Sequence, residues 1–274
     1  MTTGAELIRE IDACRVPRGG CAFWWLGQHG FAVKLGQAVC YLDPFLSEMK
    51  SRQVPPLLRP EEITDATLVL GSHDHVDHID RKVWPGIAAA SPGAKFVVPK
   101  LLRERIVREV GLSDARVLGV DEGVTVREGG VSVTAVPAAH EFLDADPATS
   151  LHPYVGFVLE AGGFRLYHAG DTCLYEGIHA RLRQWPLNLA MLPINGRDAR
   201  RLERNCIGNM TYQEAADLAG SIAPGLTVPA HFEMFAGNSE DPQLFADYMR
   251  VKYPALRTFI PRHGQCVVVE PGGR

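Results

Sequence analysis

No two cysteines in this chain are spaced as Cys-x-x-Cys. The six present, Cys14, Cys21, Cys40, Cys173, Cys206 and Cys266, are scattered over 274 residues. That spacing excludes a thiolate metal knuckle and a dithiol redox motif. The opening Met-Thr-Thr-Gly-Ala-Glu-Leu-Ile-Arg-Glu carries no apolar leader, so reduced thiols in a cytoplasmic protein are expected. No window approaches the roughly 20 uninterrupted apolar residues of a membrane span, and no membrane partner is expected. Excess positive charge is missing too. A formal net charge of −4 argues against coating long nucleic acid, while leaving small anionic metabolites and short or cyclic nucleotides open. Low-complexity tracts and linkers are absent as well, so residues 1–274 read as a single domain. Its 46% hydrophobic content suffices for a sizeable core.

What is there alternates short apolar runs with Gly, Pro and Asn. Ala5 to Ala13 predicts a short amphipathic helix with Leu7, Ile8 and Ile11 on one side. Cys21 to Leu26, Phe31 to Leu35 and Val39 to Leu42 predict an antiparallel meander, and His29, in the first of its turns, could face a site but reads rather as a turn cap. Thr67 to Leu70 and Lys95 to Val98 predict strands. Ile79 to Ala90, interrupted at Pro85-Gly86, and Leu101 to Val110 predict helices. Further strands are expected at Val124 to Val126, Val131 to Val136, Tyr154 to Glu160, Phe164 to His168, Leu187 to Leu192, Leu226 to Val228 and Thr258 to Ile260. Helices are expected near Thr211 to Ile222, where Thr211 and Glu214 form a capping box, and at Pro242 to Lys252. The fold class is α/β (α+β), an αββα sandwich of two mainly antiparallel or mixed sheets with helices outside.

One stretch concentrates chemistry. Gly71 to Asp80 reads Gly-Ser-His-Asp-His-Val-Asp-His-Ile-Asp, placing His73, His75, Asp77 and His78 within six positions directly after a strand. Imidazole and carboxylate crowded on one loop repel unless a cation compensates their lone pairs, and both suit Zn, Mn or Fe. The bland reading is a polar loop that happens to be rich in histidine, but the pattern is narrower than a lone pair of histidines. One loop cannot complete a two-metal site, and ligands collect where strands end in loops. Three later strand ends carry such groups: His140, Asp171 and His231. Each has an alternative reading, as a loop cap, a helix cap and a satisfied polar contact respectively. His152, His168, His179 and His263 fit the scheme less well and read as structural or solvent-facing, with His263 the one that could support the centre from behind its ligands.

At this point the chain resembles the metallo-β-lactamase-fold hydrolases, whose signature is His-x-His-x-Asp-His followed by further His, Asp and His ligands. The resemblance implies two divalent metal ions, Zn or Mn with Fe also allowed. His73, His75 and His140 would hold one, Asp77, His78 and His231 the other, and Asp171 would bridge them. Asp43 would orient a ligand from behind. Within that superfamily, Phe23-Trp24-Trp25-Leu26-Gly27, Ser72 to Asp80 and Tyr167-His-Ala-Gly-Asp171 are similar to segments of the L-ascorbate-6-phosphate lactonase group. Glu141 to Pro153 has no clear match there.

The mechanism this implies is attack by a metal-bridging hydroxide, with Asp77, His75 and Asp171 as the catalytic groups and Asp77 handling the proton. Substrate contacts are expected from Asn195 to Asn209. Beside Asn195, the residues Arg197, Arg200, Arg201 and Arg204 would line one face if the segment is helical, and guanidinium forks suit phosphate or carboxylate. The alternative is a solvated basic face paired with Asp198 and Glu203. Three functions follow: a hydrolase of a lactone or ester of a phosphorylated sugar acid, a phosphodiesterase or nuclease acting on cyclic nucleotides or short RNA, and a non-catalytic metal-binding protein. A homo-oligomer is compatible with each.

Overall fold

The computed structural model describes residues 2–271. Two mixed sheets pack face to face with helices outside. The first half supplies α1 (Gly4–Ala13), β1 (Cys21–Gly27), β2 (Gly30–Leu35), β3 (Ala38–Leu42), β4 (Leu68–Leu70), α2 (Trp84–Ala90), β5 (Lys95–Pro99), α3 (Arg103–Val110) and β6 (Val117–Val120). The second supplies β7 (Thr125–Glu128), β8 (Val131–Pro137), β9 (Val155–Ala161), β10 (Phe164–His168), α4 (Ile178–Leu182), β11 (Leu189–Pro193), α5 (Ala199–Glu203), α6 (Tyr212–Ile222), β12 (Leu226–Ala230), α7 (Pro242–Lys252) and β13 (Cys266–Val269). The sheets run β13-β1-β2-β3-β4-β5-β6 and β12-β11-β10-β9-β8-β7.

The period of two along each strand decides what meets what. Phe23, Trp25, Phe31, Val33, Cys40 and Leu42 share a core with Val133, Phe157, Leu159 and Leu166 of the other sheet. Their neighbours Trp24, Leu26, Ala32 and Tyr41 turn outward onto Leu7, Ile11, Ile87 and Ile106 of the helices. β1 is therefore buried along its whole length, which explains its unbroken apolar run. The expected meander is present: β1, β2 and β3 pair antiparallel, whereas β3 to β6 pair in parallel.

Several local expectations differ from the structure. Pro85 does not interrupt a helix. It stands in the first turn of α2, where the missing N–H costs nothing, and residues 79–83 are non-helical, with a turn at 81–83. The segment expected as a helix from Leu101 begins as a 3₁₀ turn before α3. Thr258 makes only an isolated bridge to Thr227. β6 and β13 are additions. The capping box on α6 is present: Thr211 accepts from the Glu214 N–H, and the Glu214 carboxylate accepts from the Thr211 N–H.

Candidate metal centre

Strand register brings the ligand-rich segments together. Leu42 of β3 pairs with Leu70 of β4, so Asp43 and Gly71 leave the sheet side by side, and Asp43 N–H donates to Leu70 O at 2.8 Å. The same edge receives the ends of β8, β10 and β12, carrying His140, Asp171 and His231. Backbone bonds tie the segments across: Val155 N–H to Ser72 O at 3.1 Å, Cys173 N–H to Ala139 O at 2.7 Å, and His231 N–H to Gln28 O at 2.9 Å.

Two groups of donors drawn from these segments result, beside a third and wholly buried one of His29, Asp43 and His168. His73, His75, His140 and Asp171 each offer an atom within 4.8 Å of the others, and so do Asp77, His78 and His231. Asp171 lies between them. Its Oδ1 is 3.3 Å from His78 Nε2, and its Oδ2 is 3.3 Å from His231 Nε2 and 4.0 Å from His73 Nε2. His73 Nε2 and His75 Nδ1 are 2.9 Å apart. All are buried except His75, which is exposed, and Asp77, which is half-buried.

Three groups support the donors. Asp43, fully buried, sits 2.5 Å from His78 Nδ1 and also accepts from Ser72 N–H and Oγ–H. That contact directs the His78 proton to Nδ1 and leaves a lone pair on Nε2. Gln28, which the sequence did not single out, donates from Nε2 to Asp77 Oδ2 at 2.9 Å and lies 3.1 Å from His231 Nε2. Asp80, likewise unremarked, closes the loop by accepting from Leu46 N–H, Ser47 N–H and Ser47 Oγ–H. Gln28, Asp43 and His231 all hold φ between 42° and 62°, a left-handed conformation that non-glycine residues adopt at a cost and that gathers at functional sites. The turn at Gln28 would be legible from Gly27-Gln28-His29-Gly30; the direction of its side chain would not.

The electrostatics of the bare side chains point to a cation. Burial opposes charge on His78, yet Asp171, Asp77 and Asp43 together push its pKa up to about 10. Burial also works against Asp171 as a carboxylate, but His231 and His78 hold its pKa well below the usual range. Burial lowers His140 to about 4 and holds His73 well below the ordinary histidine value, so both present neutral imidazole. His78 Nε2 and Asp171 Oδ1 are buried without a hydrogen-bond partner. Neutral imidazole at His73 and His140, an ionised Asp171 and the orphaned His78 Nε2 and Asp171 Oδ1 make a donor set of the kind that divalent cations require.

The remaining expectations fall differently. His29 does not cap its turn but faces the centre. It is fully buried, its Nδ1 lies 3.7 Å from Asp171 Oδ1, and burial lowers its pKa to about 4. His168 is structural, its Nε2 donating to His29 O. His263 stacks on Trp25 at 4.1 Å between centroids, and Trp25 donates to Gln28 O, so it touches the centre only through that relay. Asn195 is a buried loop staple between Asn238 and Asn209.

The arginines do not form one row. α5 spans only Ala199–Glu203, leaving Arg197 outside it. Arg197 is held by both Glu214 oxygens at 2.6 and 2.7 Å and by Asn209 O. Arg201 is bound to Asp198 and to Ser239 O. Arg200 and Arg204 are exposed.

Among known proteins, residues 40–232 match the β-lactamase superfamily domain. A UPF0173 metal-dependent hydrolase of Aeropyrum pernix is 30% identical over 260 residues, covering 90% of this chain and 94% of its own. Another, from Thermococcus kodakarensis, is 28% identical over 249 residues, covering 90% and 96%. Igni18, a metallo hydrolase of Ignicoccus hospitalis, shares the fold with a TM-score of 0.70 at 21% identity, over 92% of this chain and 99% of its own.

Proposed function

We propose, from the premise that this chain belongs to the β-lactamase superfamily of metal-dependent hydrolases, that it cleaves a lactone or related ester with two divalent cations. His73, His75 and His140 would hold one, Asp77, His78 and His231 the other, and Asp171 would serve both. The observation that carries this reading is the position of Asp171 between the two donor groups, with an oxygen 3.3 Å from His78 Nε2 and another 3.3 Å from His231 Nε2. Zinc, manganese and iron all suit these donors. When bound, such cations supply a water of lowered pKa and polarise the carbonyl under attack.

The chain's own groups do the rest. Asp43 fixes the His78 tautomer. Gln28 holds Asp77 by Oδ2, which leaves Oδ1 to orient the attacking water and accept its proton. A complete donor set argues against a non-catalytic metal protein. Similarity to the L-ascorbate-6-phosphate lactonase group supports ring opening. A phosphate on the substrate would call on Arg200 and Arg204, since carboxylates occupy Arg197 and Arg201. Six free thiols among the described residues support a reducing, cytoplasmic setting.

The test is a panel assay of metal-reconstituted protein, with metal content measured, against lactones, phosphodiesters and phosphorylated sugar acids. Two metals per chain and turnover of lactones are expected. Turnover confined to phosphodiesters, or none with both sites filled, overturns the reading.

A further inference from the structure

Resting on that hydrolase reading, we propose that the substrate is uncharged and carries an apolar group, seated in a groove beside the metal centre. The groove has a volume of about 200 Å³ and is lined by Leu202, Cys206, Ile207 and Gly208, with Glu141, Arg197 and Asp198 at its polar side. An apolar cavity of roughly 150 Å³ accepts a benzene ring, so a phenyl or short alkyl group fits.

The groove is continuous with the centre through the backbone. Glu141 follows His140 directly. Met210 N–H donates to Thr172 O at 3.0 Å, and the Cys173 thiol reaches Gly208 O at 3.8 Å. The segment that floors the groove is thereby bound to residues adjoining Asp171.

Exposed apolar side chains are frequent on the segments that carry the centre and the groove. Of the nine large hydrophobic residues exposed among the described residues, five lie on the segments around the centre: Val76 within the histidine loop, Phe142 and Leu143 just after His140, and Leu202 and Ile207 in the groove. Phe142 is 67% exposed and Leu202 62%. Isolated exposed hydrophobics need no explanation, but a cluster beside a reactive centre marks a binding surface.

The charges within the groove favour the same choice. An anion entering the groove meets the Glu141 carboxylate, while Asp198 is already paired with Arg201. The one guanidinium in its wall, Arg197, has its terminal nitrogens on Glu214 and Asn209 O. Freeing that fork would break this ion pair and leave Glu214, which caps α6, without its counter-charge. Neutral apolar matter faces no such opposition.

The experiment has two arms. In the first, the neutral dye N-phenyl-1-naphthylamine is titrated into metal-loaded and chelated protein, and into Leu202→Asp, Ile207→Asp and, as a control, Val251→Asp, which alters an exposed site on α7. Binding independent of metal, weakened about tenfold or more by the two groove substitutions and unchanged by the control, is expected. In the second, kcat/KM is measured for γ-lactones that differ only in alkyl tail. It should rise by up to about fourfold per methylene until the groove is full, with the slope flattened in Leu202→Asp.

Lactone turnover that ignores tail length, with no dye binding, overturns the apolar groove and leaves the hydrolase reading standing. Dye binding lost in the groove variants, with no turnover of any lactone, supports the groove and removes the lactonase reading. Dye excluded from a protein that sedimentation shows to be self-associated, and admitted by a monomeric Leu202→Asp, overturns the proposal in favour of an interface between two copies.

Discussion

Asp43 illustrates how much rests on a single side chain. It ends β3 with φ at 42°, is wholly buried, and binds Ser72 and His78 with one carboxylate. Asp43→Asn keeps the shape and the tolerance for that backbone conformation but removes the charge that fixes the His78 tautomer. Metal affinity, read by competition with a chromophoric chelator, should fall about 10–100-fold, the range found when such outer partners are lost. An unchanged affinity would show that His78 needs no orienting carboxylate. His75 tests the centre from the other side, as its most exposed histidine. His75→Ala should lower kcat/KM by more than those 10–100-fold, while the melting temperature of the chelated protein stays near wild type because little packing is lost. Retained turnover would sink the two-metal reading.

At the level of elements, the passage from β4 into the histidine loop depends on Gly71. A Cβ there would lie 2.4 Å from Ile79 Cγ1 and 3.0 Å from two atoms of the Trp84 ring, both side chains being fully buried. Gly71→Ala should cost about 1–3 kcal/mol through overpacking, measured by urea unfolding of the chelated protein, and should weaken metal binding because Ser72 and His73 shift with it. Normal stability would mean that the loop relaxes freely. The strands were legible because apolar runs bounded by glycine report burial, and the loop because no core tolerates such a density of histidine and aspartate. β6 escaped notice since Gly119 splits its four residues, and β13 since it is a short edge strand in which Val268 remains exposed. The support groups were illegible for a different reason. Gln28 reaches Asp77 across 49 positions, and Arg197 is claimed by Glu214 across 17. Nothing in local spacing reports such a partner.

Across the whole molecule, buried imidazoles set how stability depends on pH, and metal changes that dependence. Burial lowers His29 to about 4 and His168 to about 3, below the 6.5 or so of an unfolded chain. As pH falls below about 6.5 the unfolded state takes up protons that these groups refuse, so their stabilisation is complete above that pH and is lost toward 3 to 4. His78 has the opposite sign. Raised to about 10 by Asp171, Asp77 and Asp43 against the effect of burial, it stabilises the metal-free fold below about 6.5 and loses that contribution as pH climbs to about 10. Metal-free protein should therefore be most stable near pH 6.5 and decline on both sides. A bound cation requires neutral imidazole, so metal-loaded protein should lose the alkaline decline. At a hundredfold excess over Kd, each site should add about 2.7 kcal/mol. Urea unfolding of chelated and loaded protein at pH 4.5, 6.5 and 9 separates the two effects, and His168→Gln, which keeps a donor for His29 O, should flatten the acid limb. A metal-free protein as stable at pH 9 as at 6.5 would mean that His78 carries no proton there, and that its three carboxylates are not the cation-binding field described for this centre.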